Sequence, residues 1–304
     1  MINYPRYLRT HSEINSFLIR SGGKFGSTNK PTAGPQAEKA LPKGKHALQL
    51  HSLGTPNGVK VTALLEEINL KYGTEYDAYT VNIFDGDQFD SGFVDANPNS
   101  KIPALLHYKD GLNKPPVRVF ETSAIMIYLC ETFDKENEFY PKIGDAKRAE
   151  CLSWVMFTQG SAPFLGGGFG HFYAYAPEKY QYPIDRYTME VKRQLDVLDR
   201  HLGGKSLGGG GPFLCGDQIT IADLACFPWY GNLVLGTIYD AAEFLSVKEY
   251  THVMAWAEMM KKRTGVELGR KVNRTWGPES DQLLERHSAQ DFQDLEERTK
   301  TKEQ

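Results

Sequence analysis

The sequence of 304 residues lacks the marks of several large functional classes. Formal net charge is -3 and no basic run exceeds Lys261-Lys262-Arg263, so the electrostatic footprint of a nucleic-acid binder is missing and no nucleic-acid partner is expected. The most apolar stretch, residues 124–129, is far too short to cross a bilayer, and no membrane partner is expected. Cysteine is scarce, and Cys130, Cys151, Cys215 and Cys226 never fall into a C-x-x-C spacing. Neither a zinc site nor a dithiol redox motif is written here, no metal is expected, and the four read as reduced, buried thiols. There is no long Asn/Gln tract of the prion-like kind. The expected location is cytoplasmic; Arg6, Arg9 and Arg20 near the N-terminus give an organellar address as the weaker reading, since Pro5 and Glu13 spoil an amphipathic helix there.

What is present is an ordinary soluble composition, 40% hydrophobic and 24% charged, on a length that suggests two domains. Residues 1–46 are broken by Gly22-Gly23, Lys30-Pro31, Gly34-Pro35 and Leu41-Pro42 and read as an extended arm, either a loose surface segment or a pocket cover. From Ala47 the pattern turns regular. A strand over 48–53 is followed by a helix over about 59–69 with Val61, Leu64, Leu65 and Ile68 on one face. A second strand runs near Tyr79, Val81 and Ile83. After a segment of doubtful helicity, 104–106 and 117–120 form an antiparallel hairpin, and Glu121-Thr122-Ser123 opens a helix over 124–131. Strand, helix, strand, doubtful segment, hairpin and helix make an α/β, thioredoxin-like layout over 47–134.

Beyond Tyr140-Pro141-Lys142-Ile143-Gly144 the strand signals stop, so 145–278 reads as an all-α domain. Asp145 caps a helix carrying Ala149, Leu152 and Met156, and a longer helix carries Ile184, Tyr187, Val191, Leu195, Leu198 and Leu202 in register. Ile219-Thr220-Ile221-Ala222-Asp223-Leu224 fits a capping box with Thr220 as N-cap, framed by a hydrophobic staple. A further helix covers about 253–260, and 279–304 is a charged, partly loose tail.

The stretch that organises the rest is Leu53-Gly54-Thr55-Pro56-Asn57-Gly58, where a polar turn at a helix start sets a hydroxyl and an amide beside free backbone N–H groups. Such a turn can hold an anion or a thiolate. Together with Gly86-Asp87-Gln88-Phe89, Asn97-Pro98-Asn99-Ser100-Lys101-Ile102-Pro103, the run 162–173 and Val272-Asn273-Arg274-Thr275, it resembles the cytosolic glutathione S-transferase superfamily, and within it the nu class, related to the yeast Ure2 type. The resemblance covers about residues 21–292.

The resemblance implies a thioredoxin-like domain that binds glutathione, a helical second domain and a homodimer. It implies a cis Pro103 with the Ile102 backbone pairing with the ligand, and Glu121 and Thr122 holding its glutamyl end. Asn29, Gln88, Lys101, Gln159 and Arg186 match positions that contact glutathione. Read without the resemblance, Thr122 is a plain helix cap, Lys101 and Gln88 are equally well solvated loop residues, and Arg186 in an apolar-periodic helix needs a partner. The superfamily activates its thiol with Tyr, Ser or Cys near the first strand, and this sequence offers Thr55 and Asn57 there, followed by no cysteine. The implied activity is disulfide reduction in which Thr55 and Asn57 stabilise the thiolate of bound glutathione, Pro56 lines the same turn, and a second glutathione resolves the mixed disulfide. Conjugation of electrophiles and a non-catalytic, Ure2-like regulatory role stand as alternatives. The aromatic cluster Phe164, Phe169, His171, Phe172, Tyr173 and Tyr175 is expected to wall the second ligand in part, with the glycines of 166–170 letting backbone approach it.

Overall fold

A computed structural model describes residues 28–30 and 32–302. The organellar reading of the N-terminus falls on residues outside this range.

Four strands, β1 (Leu48–Ser52), β2 (Asp77–Thr80), β3 (Ala104–His107) and β4 (Val117–Phe120), lie in the order β2-β1-β3-β4. β1 and β2 are parallel, while β3 is antiparallel to both β1 and β4. Parallel neighbours need a crossover, and α1 (Pro56–Tyr72) supplies it. α1 starts three residues before the helical stretch read from periodicity, because Pro56 occupies its first turn, where the missing N–H costs nothing. β2 is shorter than expected: Val81 still donates to Ser52 O at 2.7 Å. The Asn82 side chain then accepts from Phe84 N and turns the chain out of the sheet before Ile83. The doubtful segment is a helix, α2 (Ser91–Ala96), which covers one sheet face through Phe93 and Ala96 packed with Val81, Ala104 and Leu106. α1 and α3 (Thr122–Phe133) bury the other face.

The remainder is helical, as expected. α4 (Ala146–Pro163) runs into a π-helical stretch, Phe164–Tyr175, followed by α5 (Gln181–Leu202) and α6 (Ile221–Cys226). A second π-helical turn, Phe227–Gly231, leads on to α7 (Thr251–Lys261), α8 (Thr264–Gly269) and α9 (Gln290–Lys302). Asp145 accepts from Lys147 N as the cap of α4, and the capping box of Thr220 and Asp223 is complete. The buried stripe of α4 differs from the expected one: Cys151, Trp154, Val155 and Thr158 face the core, Ala149 is exposed and Met156 stands 45% exposed. The large Trp154 and β-branched Val155 bury more apolar surface than Ala149 and Leu152, and they set the helix rotation.

As far as Lys302, the charged tail is not loose. Arg286 is fully buried and pairs with Glu66 and Glu75, the Arg286 and Ala78 backbones form a bridge on the β2 edge, and Phe292 and Leu295 of α9 enter the main core. A few apolar anchors and one buried ion-pair network outweigh the average composition of this segment. The arm is likewise partly tied down: Ser91 and Gly92 donate to Ala37 O and Lys39 O, and Lys39 pairs with Asp87 and Asp90.

Candidate active site

Where the ends of β1 and β3 meet the helical half, a cavity of about 570 Å³ opens. Its floor is the N-terminus of α1. Gly58 is required for the strand-to-helix turn, since a Cβ there would come within 1.9 Å of Leu53 O. Gly54 N donates to Asn273 O at 2.7 Å, and Asn273 is itself buried and donates to Leu284 O. The 272–275 motif thus braces the turn that carries Thr55.

Thr55 is the N-cap of α1. Its Oγ1 accepts from Gly58 N at 3.4 Å and lies 3.5 Å from Leu53 O, contacts long enough to leave the hydroxyl proton free to turn into the cavity. Asn57 is held differently. Trp229 Nε1 donates to Asn57 Oδ1 at 2.9 Å, and an indole can only donate, so the amide oxygen must face the tryptophan. Asn57 Nδ2 is thereby left as a donor. Cap and site coincide at Thr55, while the orientation of Asn57 is set by a residue 172 positions away.

The wall opposite contains the Ile102-Pro103 bond, which is cis, and both residues line the cavity with Ser100 and Lys101. Gln88 is 1% exposed, so the solvated-loop reading fails. Its Nε2 donates to Ile83 O at 3.3 Å, and its buried Oε1 has no partner among the described residues. Lys101 Nζ donates to Thr28 O at 3.0 Å and to Asn29 Oδ1, which makes Asn29 part of the wall and the arm a pocket cover at that point. Glu121 precedes α3 with φ of 68°, a left-handed conformation that a non-glycine residue adopts under constraint. Its carboxylate accepts from Gln159 Nε2 at 2.7 Å and Asn99 Nδ2 at 3.3 Å. Gln159 Oε1 in turn accepts from Thr122 and Ser123 hydroxyls at 3.2 and 2.9 Å, so one α4 side chain ties the helical half to the start of α3.

Asn29, Thr55, Pro56, Asn57, Gln88, Lys101, Ile102, Glu121, Thr122 and Gln159 therefore line one cavity. Arg186 does not. It stands exposed on α5 outside the lining, where solvent satisfies the guanidinium and no buried partner is needed. From the aromatic cluster, His171 and Tyr175 reach the cavity, whereas Phe169 is core and Phe172 stacks on Tyr187. The glycines serve packing more than ligand approach. A Cβ on Gly166, Gly168 or Gly170 would strike Trp229, Tyr187 or Tyr239 within 2.6 Å, and Gly167 alone of these faces open space.

Sequence reasoning missed Lys60, Thr158, Trp229 and Tyr239 in the lining. Lys60 carried a usable signal, since it stands three positions after Asn57 on the same helix face. Trp229 and Tyr239 carried none, because their place depends on long-range packing. No cysteine lines the cavity. All four are buried, and burial pushes the Cys226 thiol up to about 12. The lining offers hydroxyl and amide donors at a helix N-terminus and no cysteine thiol.

This fold and this cavity define a glutathione S-transferase, and the chain belongs to that family. Residues 56–132 match the family's N-terminal domain and residues 181–258 its C-terminal domain. In particular it is similar to the disulfide-bond oxidoreductase YghU of Escherichia coli, with 54% identity over 90% of this chain and 91% of that protein. A glutathione transferase YghU from Streptococcus pneumoniae, solved in complex with glutathione, has 46% identity and a TM-score of 0.76 over 90% of this chain and 97% of its own. A transferase from Burkholderia graminis, solved with two glutathione molecules per subunit, has 34% identity and a TM-score of 0.63 over 88% of this chain and 98% of its own.

Proposed function

We propose that the protein is a glutathione-dependent disulfide-bond reductase whose reactive sulfur belongs to the ligand. The observation that carries the reading is the Trp229 bond to Asn57 Oδ1, which leaves the Asn57 NH₂ as a donor in a cavity that Thr55 also lines. Two donors at a helix N-terminus favour a thiolate over a thiol. The E. coli relative carries the name disulfide-bond oxidoreductase, which agrees with this chemistry. In the proposed reaction the thiolate of one glutathione attacks a substrate disulfide, forming a mixed disulfide and releasing one substrate thiolate. A second glutathione attacks the mixed disulfide at the glutathione sulfur. The second substrate thiolate leaves, and glutathione disulfide carries away the two electrons' worth of oxidation.

Within this reading Gln88 Oε1 accepts an N–H of the ligand, the Ile102 backbone pairs with its cysteinyl part, and Glu121 and Thr122 at the start of α3 hold its glutamyl end. Pro56, Lys101, Asn29 and Gln159 complete the wall, and His171, Tyr175 and Tyr239 border the second ligand or the disulfide. Arg186 is assigned no contact within the single chain. We further propose that residues 47–134 act as the glutathione-binding domain and 145–278 as its helical partner. The protein works as a two-fold dimer in the cytoplasm, readings supported by exposed Met156, Phe164 and Met189 and by four unpaired cysteines.

The test is glutathione-coupled reduction of a small hydroxyethyl disulfide measured beside conjugation of a chlorinated nitroaromatic, with calorimetry counting glutathione bound per chain. Dominant reduction with two molecules bound is expected. Dominant conjugation with one molecule bound overturns the reading in favour of a conjugating transferase.

A further inference from the structure

Lys60 is 2% exposed, lines the cavity, and makes no hydrogen bond or ion pair among the described residues. Its stem is buried while Nζ is not among the fully enclosed unbonded polar atoms, so the ammonium keeps access to the cavity and lacks a protein partner there. Its surroundings narrow its use. Asn57 and Lys60 project from the same face of α1, three positions apart. Asn57 meets Trp229 on the opposing segment, and Lys60 feels Cys226, which stands three positions before Trp229.

Two titratable groups act on Lys60 from the elements around it, Cys226 of α6 and Glu121 at the β4–α3 junction. Cys226 is no anion: its thiol is buried, pushed up to about 12, and lies 2.8 Å from the Thr158 hydroxyl. Glu121 already accepts from Gln159 and Asn99. The charge on Lys60 is therefore left for something that enters the cavity.

We propose that the Lys60 ammonium is the counter-charge for the sulfur anion that Thr55 and Asn57 hold, a third group acting directly on the reacting thiolate. The inference rests on the functional reading above. Lys60 makes and breaks no covalent bond. In the exchange the negative charge passes from the attacking sulfur to the departing one, and the ammonium remains beside both. Burial lowers the Lys60 pKa to about 8, so the ammonium still predominates at neutral pH, and an arriving thiolate holds the proton more firmly. Stabilisation of the thiolate by Lys60 and of the ammonium by the thiolate are one coupling, equal in both directions.

The experiment compares wild type, Lys60→Met and Lys60→Arg. Calorimetry first establishes glutathione binding to the wild type, and no binding there overturns the functional reading together with this inference. The pKa of the bound thiol then follows from thiolate absorbance in the ultraviolet as pH is varied. In Lys60→Met that pKa should rise by about one unit. The kcat/KM for disulfide reduction should fall about tenfold at pH 6.5, and the deficit should close as pH approaches 9. Lys60→Arg should recover part of the loss because it keeps the charge. A folded Lys60→Met protein that binds glutathione with an unshifted thiol pKa overturns the proposal. If Lys60→Met does not fold, the wild-type Lys60 ammonium is titrated by NMR in the presence of glutathione or S-methylglutathione. A higher Lys60 pKa with glutathione than with the methylated ligand, which cannot form a thiolate, supports the proposal. Equal values overturn it.

Discussion

Helix α1 meets two buried cations, and the chain treats them in opposite ways. Near its C-terminal half Arg286 is fully buried, donates to Glu66 at 3.1 Å, to Tyr76 O at 2.9 Å and to Glu75, and lies 4.1 Å above the Tyr76 ring, with only Nη2 unbonded. Near its N-terminus Lys60, as deeply buried, has no bonded partner among the described residues. The first arrangement finds its counter-charges within the chain and fastens the C-terminal segment to the sheet edge. The second is incomplete, beside a cavity with another orphaned polar atom, Gln88 Oε1, and a strained Glu121. The paired cation belongs to the architecture, and the cation without a counter-charge bonded to it lies where a ligand can enter.

The comparison breaks most easily at Arg286. Arg286→Met leaves Glu66 buried and unpaired, so urea unfolding should show a loss of about 3–5 kcal/mol. Thr55→Ala is expected to lower glutathione-dependent turnover by roughly ten- to a hundredfold through the lost donor, with about 1 kcal/mol of stability from the lost cap. An unchanged turnover in the folded variant would remove Thr55 from catalysis. Trp229→Phe keeps an aromatic side chain, though a smaller one, and deletes the N–H that orients Asn57. Its kcat/KM should fall about tenfold, with the bound-thiol pKa rising as evidence that the effect is on the sulfur and not on packing. Lys60→Met should raise stability by about 1 kcal/mol, opposite in sign to Arg286→Met, since it removes a largely desolvated charge that no bonded carboxylate offsets.

The smallest effect belongs to His287, which clips the tail to Asp77 at 2.8 Å. Burial works against its charge, but hydrogen bonds to Asp77 and Glu285 outweigh this and raise its pKa. Its contribution is therefore full below the ordinary histidine value of about 6.5 and is lost as pH rises through the raised folded value. The stability difference between wild type and His287→Gln should accordingly shrink between pH 6 and pH 8.5 in urea unfolding; a constant difference would mean that the charge of His287 contributes nothing.

How much of this was legible in the sequence depended on the range of each interaction. The sheet and its helices followed from alternation and helical spacing, because β1, α1 and the hairpin are locally patterned. Thr55 and Asn57 stood out because their turn is a contiguous motif, and Gln88 and Lys101 only through the resemblance. The tail misled because a charged average hides a single Arg286 and the two apolar anchors Phe292 and Leu295. The rotation of α4 misled because Ala149, Leu152 and Met156 make a plausible stripe, while the buried face carries Trp154 and Val155. The bond from Trp229 to Asn57 and the isolation of Lys60 had no local signature, since both are properties of how two distant segments meet.

The central claim is that the pocket holds a sulfur anion supplied by its ligand. It is tested most directly by titrating the thiol of glutathione bound to the wild-type protein, followed by thiolate absorbance, against a free cysteine thiol at about 8.5. A bound value at least one unit below the free one is the predicted result. A bound thiol that titrates at or above the free value would contradict the account.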